Sequence, residues 1–413
     1  MRTLIVGETA VTASVAKSLA KSSELFSIMQ RLNPTIKEIS MKYMRVKDIN
    51  PEIVGTWAIT DMVDIAVIVS RRYISKGIAS ILSLAEIPAI APTKEATDIE
   101  WDKIKAIEMF DVINAKNPDR IIVEKRDEIN PAVEKAKKEF GEFVVKPSYY
   151  TEGKGTKFYG EELNDKTLKR YIKEIIKRKG KAIIEKKIDG MNFVVQAFSD
   201  GSRVCLMPPV EVKKRYKKST SQGFASYSNG HYLEYLGEND IEYIKSRIQR
   251  TINRLRFNGT PFKGILGMEF IKDRLGTIWA LGYNSTFNDP GSINNMSNLK
   301  SELSEILWSI IDENLKRAVF RAMETNVVYV FPKGYPKKPS YGKRIQIDEK
   351  CIWQLGGEII WHSIREKNGR YYTTRSRTAA IRFLEKGERD IDKCIKNLDF
   401  YRDYSTSSRR GAK

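Results

Sequence analysis

Lys146, Lys154, Glu269 and Asn284 are the residues of this sequence whose types suit phosphoryl transfer from a nucleoside triphosphate. That chemistry needs cations against the phosphates and a glycine-containing loop whose N–H groups cradle them. It also needs carboxylate or amide oxygens for the magnesium ions that bridge phosphate oxygens. Lys146 ends an apolar run just before Pro147, and Lys154 lies between Gly153 and Gly155. Glu269 and Asn284 fall on the two arms of an expected hairpin, where both side chains can face one metal. An adenine ring needs an extended stretch with free backbone donors and acceptors, and "IIEKKI" at 183–188 offers one. A histidine metal site or a Ser-His-Asp triad has little to work with, since the only histidines are His231 and His362. No residue is assigned as acid, base or nucleophile.

These residues need elements to hold them. "TLIVG" at 3–7, "DIAVIVS" at 64–70 and "EIPAIAPT" at 86–93 read as buried strands separated by helical stretches, which predicts parallel βαβ units over residues 1–100. Ligands of such a domain bind beyond the strand ends. The loops there are "VGETAV", with a single glycine, and "VSRRYISKG", with Arg71, Arg72 and Lys76. Residues 142–160 read as strand, glycine loop, strand. Hairpin signals stand at Asp189-Gly190 and Asp200-Gly201. A helix is expected near 239–256, then the hairpin that ends in "ALGYNSTFNDPG" at 280–291. The spacing of Leu303, Leu307, Ile310 and Ile311 predicts an amphipathic helix over 298–323. A β-rich stretch follows from 326, ending in a basic tail.

Composition bounds the rest. A chain of 413 residues is too long for one ordinary core, so two to four domains are expected. No apolar run is long enough to span a membrane, and "MRTLIVGETA" does not read as a signal peptide. Cys205, Cys351 and Cys394 are sparse and widely spaced, which argues against a disulfide or zinc framework and for a reducing cytoplasm. The formal net charge of +20 attracts polyanions at long range. Lys213, Lys214, Arg215, Lys217 and Lys218 surround Tyr216, a combination that suits RNA or single-stranded DNA, and Arg409 and Arg410 add a basic tail. A lysine-rich surface without a target remains the alternative.

Taken in order, these pieces resemble the ATP-grasp fold, and more narrowly the glycinamide ribonucleotide synthetase (phosphoribosylamine–glycine ligase) family. The likeness spans nearly the whole chain: "LIVG", "LNPTI" at 32–36, "APTKEATDIEWDK" at 91–103, "FVVKPSYYTEGKG", "VVQAFSDG", "SYSNG", "TFNDPG", "GYP" and "SRTAA" at 376–380. The resemblance implies an α/β (α+β) architecture with an ATP-grasp core. Residues 1–100 would form an N-terminal doubly wound parallel-sheet domain. Residues 101–325 would form the ATP-grasp domain, with a nucleotide-binding subdomain near 125–190, and 326–413 a C-terminal β-rich domain. It implies ATP and Mg2+ as cofactors, with Lys146 and Lys154 on the phosphates. Glu185, Lys186 and Ile188 would lie at the adenine, Asn284 and Glu269 at a metal, and Lys214 and Arg215 in a substrate loop. The implied reaction joins glycine to phosphoribosylamine through an acyl phosphate, a step of purine biosynthesis.

The departures fall at ligand positions. Gly282 stands where the family has a metal-binding glutamate, and Thr286 where it has an arginine. Met191 or Asn192 replaces a glutamate expected at the ribose. "ETAVTA" at 8–13 and "SRRYIS" at 70–75 replace the family's phosphoribosylamine elements. Two readings stay open: a ligase of this family, or a non-catalytic paralogue that binds nucleotides or RNA through its basic surface.

Overall fold

The computed structural model describes residues 1–151, 155–215, 225–229, 235–336, 338–384 and 387–400. Lys154, Lys217, Lys218, Arg409 and Arg410, expected at the phosphates or on a basic surface, lie outside the described residues. So do the side chains, though not the backbone, of Lys213, Lys214 and Arg215.

The chain begins with a five-stranded parallel sheet in the order Lys42–Arg45, Glu24–Met29, Arg2–Val6, Ile65–Ile68, Ala89–Ile90. Its three sequence-expected strands are present, and the Glu24–Met29 and Lys42–Arg45 strands are added to them. Arg2–Val6 is the strand from which the order runs both ways, so the crevice beyond it is bounded by Glu8 and by Ser70–Arg71. Gly7, at φ +143°, makes the close turn into the Ala10–Leu19 helix; a Cβ there would lie 2.7 Å from Thr12 Oγ1.

A second sheet of four antiparallel strands runs Arg120–Val123, Ala182–Lys186, Phe143–Pro147, Lys157–Phe158. The helices Ile129–Glu139 and Asp165–Lys177 cover one face. The latter buries Leu168, Ile172 and Ile175 at helical spacing and starts from a capping box between Asn164 and Thr167. Phe143, Val145, Ala182 and Ile184 point into that core. By strand alternation, Val144, Lys146, Ile183 and Glu185 share the opposite face.

The largest sheet has the path Ile278–Asn284, Lys263–Asp273, Gly190–Asp200, Val210–Arg215, Ala225–Asn229, Thr325–Pro332, Ala379–Leu384, Gly357–Trp361. It continues across residue 326, so the C-terminal strands share a sheet with the strands before them. Phe193, Val195, Met268, Phe270 and Tyr283 pack on one face with the Lys103–Val112 and Glu238–Phe257 helices. The other face presents Gln196, Glu269, Gly282 and Asn284, and carries the Gly291–Asn298 and Leu303–Ile311 helices, which also pack on Ala10–Leu19.

Three expectations are corrected. The helix expected over 298–323 spans only Leu303–Ile311. Glu313 takes φ 52°, and the chain turns back so that Lys300 N–H donates to Val319 O and Arg321 N–H to Asn298 O. Asp189-Gly190 is not a hairpin turn but the passage from the four-stranded sheet into the largest one, where Gly190 pairs with Asp273. An added Cβ at Gly190 would run into the Lys272 carbonyl. Cys351 and Cys394 form a disulfide, since the fold brings their Cα atoms to 5.5 Å across 43 residues of sequence. Among the described residues no helix is long and apolar enough to cross a membrane.

Candidate functional site

Lys146 and Glu185 meet because the Phe143–Pro147 strand pairs with Ala182–Lys186 in a register of Val144 with Glu185 and Lys146 with Ile183. The two side chains are therefore diagonal neighbours on the face turned away from the helices. Lys146 Nζ lies 2.5 Å from Glu185 Oε1, with only 13% and 10% of the side chains exposed. Lys186 is exposed and its N–H donates to Asp119 O, while Ile188 is half-buried. A cavity of about 720 Å3 opens just past this stretch, lined by Met191, Asn192, Glu211 and Lys272 among others. Lys146, Glu269 and Asn284 are not part of its lining.

Glu269 and Asn284 come from adjacent strands as expected. The pairing of Glu269 with Gly282 and Phe270 with Ala280 leaves Leu281 as an extra residue, a bulge that bends the strand just before Asn284. Asn284 Nδ2 donates to Glu269 Oε1 at 3.2 Å. Gly282 faces open space: a Cβ there would meet nothing within 4 Å.

Two further residues join this site: Arg71, whose loop the sequence offers as a phosphate holder or a solvated basic loop, and Lys103, which the sequence does not single out. Lys103 follows a segment whose backbone ties to the glycine-loop strand, Lys103 N–H donating to Ser148 O. Burial holds the Lys103 ammonium below the usual lysine range, and Lys146 adds to this, while Glu269, Glu100 and Glu185 act in the opposite sense. Lys103 thus responds to charges on both the four-stranded and the largest sheet. Arg71 reaches in from the first domain. It lies 2.9 Å from Glu100 Oε1, donates to the Tyr150 hydroxyl at 2.5 Å and points Nη2 at Asn284 Oδ1, 3.4 Å away. Burial opposes the charge on Arg71, but Glu100 and Tyr150 outweigh it and raise its pKa above the ordinary arginine value. The only sequence signal was the pair Arg71-Arg72 in a strand-end loop.

The loop after Asn284 is anchored rather than open. Ser285 N–H donates to Glu100 Oε2 at 2.9 Å, and Thr286 Oγ1 to Val69 O at 2.9 Å. Gln196 Oε1 accepts from Asn288 N–H and Ser292 Oγ. Asp289 takes Arg377 Nη2 and the Tyr329 hydroxyl, each at 2.6 Å. Burial would raise the Asp289 carboxyl, yet Arg377 holds it below the usual carboxylate range. His362, packed edge-on against Tyr329, is held down to about 3 by burial and by Arg377. In the first domain, Glu8 accepts from the Tyr73 hydroxyl at 2.9 and 3.1 Å. Burial pushes the Glu8 carboxyl up.

Without nucleotide, the acidic set does not close a divalent-ion site from protein side chains alone. Among the described residues no group of three or more His, Cys, Asp or Glu side chains could hold one. Magnesium is bound octahedrally by oxygens. Here the Asn284 amide must turn its nitrogen to the carboxylate of Glu269 and its oxygen to the donor-only guanidinium of Arg71. A metal beside Glu269 would face the wrong end of that amide and a fixed positive charge.

The sequence profile of the phosphoribosylglycinamide synthetase ATP-grasp (A) domain matches residues 102–292. The chain is 34% identical to the phosphoribosylamine–glycine ligase of Thermococcus kodakarensis over 89% of this chain and 86% of that protein. It is 33% identical to that of Pyrococcus furiosus over 97% and 93%. Among solved structures, the phosphoribosylamine–glycine ligase of Thermotoga maritima covers 97% of both chains with a TM-score of 0.76 at 19% identity. The biotin carboxylase domain of Hydrogenobacter thermophilus 2-oxoglutarate carboxylase, solved with MgADP and bicarbonate, gives 0.73 at 14% identity over 97% and 91%. The fold is therefore α/β and of the ATP-grasp type.

Proposed function

The chain belongs to the phosphoribosylamine–glycine ligase family, and on that premise we propose that it is an ATP-dependent carboxylate–amine ligase acting in purine biosynthesis. In this reading a carboxylate oxygen of glycine attacks the γ-phosphorus of ATP, and the bond from that phosphorus to the ADP oxygen breaks. The amine nitrogen of phosphoribosylamine then attacks the acyl carbon, phosphate leaves, and the nitrogen gives up a proton. Residues 1–100 serve as the N-terminal domain, 101–325 as the ATP-grasp domain and 326–413 as the C-terminal domain.

The observation that carries the proposal is that Arg71 meets the Glu269–Asn284 pair, while the Lys103 ammonium is subject to the charges of Lys146, Glu269 and Glu185. Such preorganised charge suits a migrating phosphoryl group, for which catalysis is mainly positioning and neutralisation. Lys146 and Lys154 take the ATP phosphates, and Glu185, Lys186 and Ile188 border the adenine. Lys214 and Arg215 belong to the substrate loop. The test is to mix protein, ATP, magnesium, glycine and phosphoribosylamine and follow ADP. ADP that depends on both co-substrates supports the ligase, and its absence with every amine tried counts against it. Lys146→Met should weaken ATP binding at least tenfold.

A second reading, a non-catalytic binder of RNA, is favoured by the formal net charge of +20. Its signature is binding that falls steeply with salt. Binding that is absent at low ionic strength removes it.

A further inference from the structure

Arg71 is held from several sides at the phosphate end of the site. Glu100 lies against it at 2.9 Å, and that carboxylate is itself fixed by the backbone and hydroxyl of Ser285. Tyr150 binds it from the strand-end loop that leads to Lys154, with the guanidinium 5.5 Å from the ring centre. Thr286 fastens the backbone just ahead of it through Val69 O. A further contact is Asn284 Oδ1. The result is a planar cation in a fixed orientation, whose fork suits two phosphate oxygens at once.

The neighbouring charges agree. Arg71, Lys103 and Lys146 stand among Glu100, Glu185 and Glu269, three cations to three carboxylates. Among the described residues this balance leaves little uncompensated negative charge for a free divalent ion. Gly282, directly across from Glu269, adds no donor.

We propose that the Arg71 guanidinium, rather than a divalent ion held by the protein, is the cation that the Asn284–Glu269 pair presents to the terminal phosphate of a nucleoside triphosphate. The inference rests on the reading above that ATP binds here, and extends it by naming the group that neutralises its far end. Arg71 also ties the first domain to the phosphate loop, because the same guanidinium binds Tyr150.

The test compares ATP affinity, by calorimetry on the full chain, in EDTA and in excess Mg2+. The unaltered protein is expected to bind both forms with dissociation constants within about threefold. Arg71→Lys should weaken metal-free binding at least tenfold, because an ammonium lacks the planar fork. Arg71→Ala strands the buried Glu100 and risks misfolding, so the second variant is Arg71→Ala combined with Glu100→Gln, with its fold checked by circular dichroism. It should lose metal-free binding and regain most of it with Mg2+. Mn2+ resonance spectroscopy without nucleotide should find no tight site on the unaltered protein.

A tight Mn2+ site there would overturn the proposal. So would ATP binding that collapses in EDTA, or metal-free binding unchanged in both variants. Each of these leaves the nucleotide reading standing. Failure to bind ATP under any condition, with Arg71 in place, overturns both.

Discussion

Arg71 Nη2 lies 3.4 Å from Asn284 Oδ1, joining the segment after the Ile65–Ile68 strand of the parallel sheet to the end of the hairpin in the largest sheet. The Asn284 amide is thereby oriented, with its nitrogen on Glu269. Most of the loop that follows Asn284 is used for anchoring, to Glu100, Val69, Gln196, Tyr329 and Arg377.

An acidic side chain at position 282, across from Glu269, is sterically allowed. Gly282→Glu should fold, because a Cβ there meets nothing within 4 Å. Two carboxylates directly across a strand pair repel, so the variant should lose about 0.2–1 kcal/mol without metal. Mg2+ should then raise its melting temperature while leaving the parent unchanged. A variant insensitive to Mg2+ would argue that the two carboxylates do not converge.

The Asp289–Arg377 pair links the loop to the C-terminal strands. Arg377→Met leaves the Asp289 carboxylate without its ion-pair partner, hydrogen-bonded to the Tyr329 hydroxyl. Removing one partner of a wholly buried pair costs 3–5 kcal/mol. Each side chain here keeps about a fifth of its surface (21% and 22%) exposed, so roughly 2–4 kcal/mol is expected. Urea unfolding measures it, and a loss under 1 kcal/mol would show that the pair is screened by water.

Acid should destabilise the protein early. His362 is held down to about 3, against an ordinary value of 6.5. Between these values the unfolded chain binds a proton that the folded one refuses, so stability falls as pH drops through that window, by an amount on the order of a few kcal/mol. Asp289, whose carboxyl is held low, adds a loss only as pH falls below the ordinary carboxylate range. Urea midpoints at pH 7, 6 and 5 should decline, and His362→Gln should flatten that decline. Equal slopes in the two proteins would remove His362 as the cause.

The Cys351–Cys394 disulfide closes a loop with a separation of 43 residues. Loop-closure entropy for that length gives about 4 kcal/mol, the top of the usual range for a disulfide. Reduction, or replacement of both cysteines by serine, should lower stability by that amount without altering ATP affinity. Disulfides persist in oxidising compartments and inside hyperthermophile cells, so free-thiol titration of freshly purified protein reports which state it leaves the cell in.

Local pattern made much of this protein legible. The parallel strands of the first domain followed from apolar runs bounded by turn residues. Lys146, Glu185, Glu269 and Asn284 could be placed because strand alternation and hairpin pairing act over a few residues. Where long-range pairing competes with local periodicity, the sequence misled. The apolar spacing around Leu303 to Ile311 suggested a long helix, but the segment from 312 is drawn back along Asn298 and Lys300 by backbone hydrogen bonds. The sparse cysteines suggested free thiols, because nothing local reveals that a helix and a distant turn place two of them 5.5 Å apart.

By itself the sequence determined the fold class, the order of the elements and which strand ends carry lysine, glutamate and asparagine, since these depend on spacing along the chain. The glycine at 282 was equally visible in one dimension. Only the tertiary structure decided what faces that glycine's neighbours. Arg71 lies 213 residues from Asn284, in a different sheet, and nothing short of the packed domains could bring its charge to that amide.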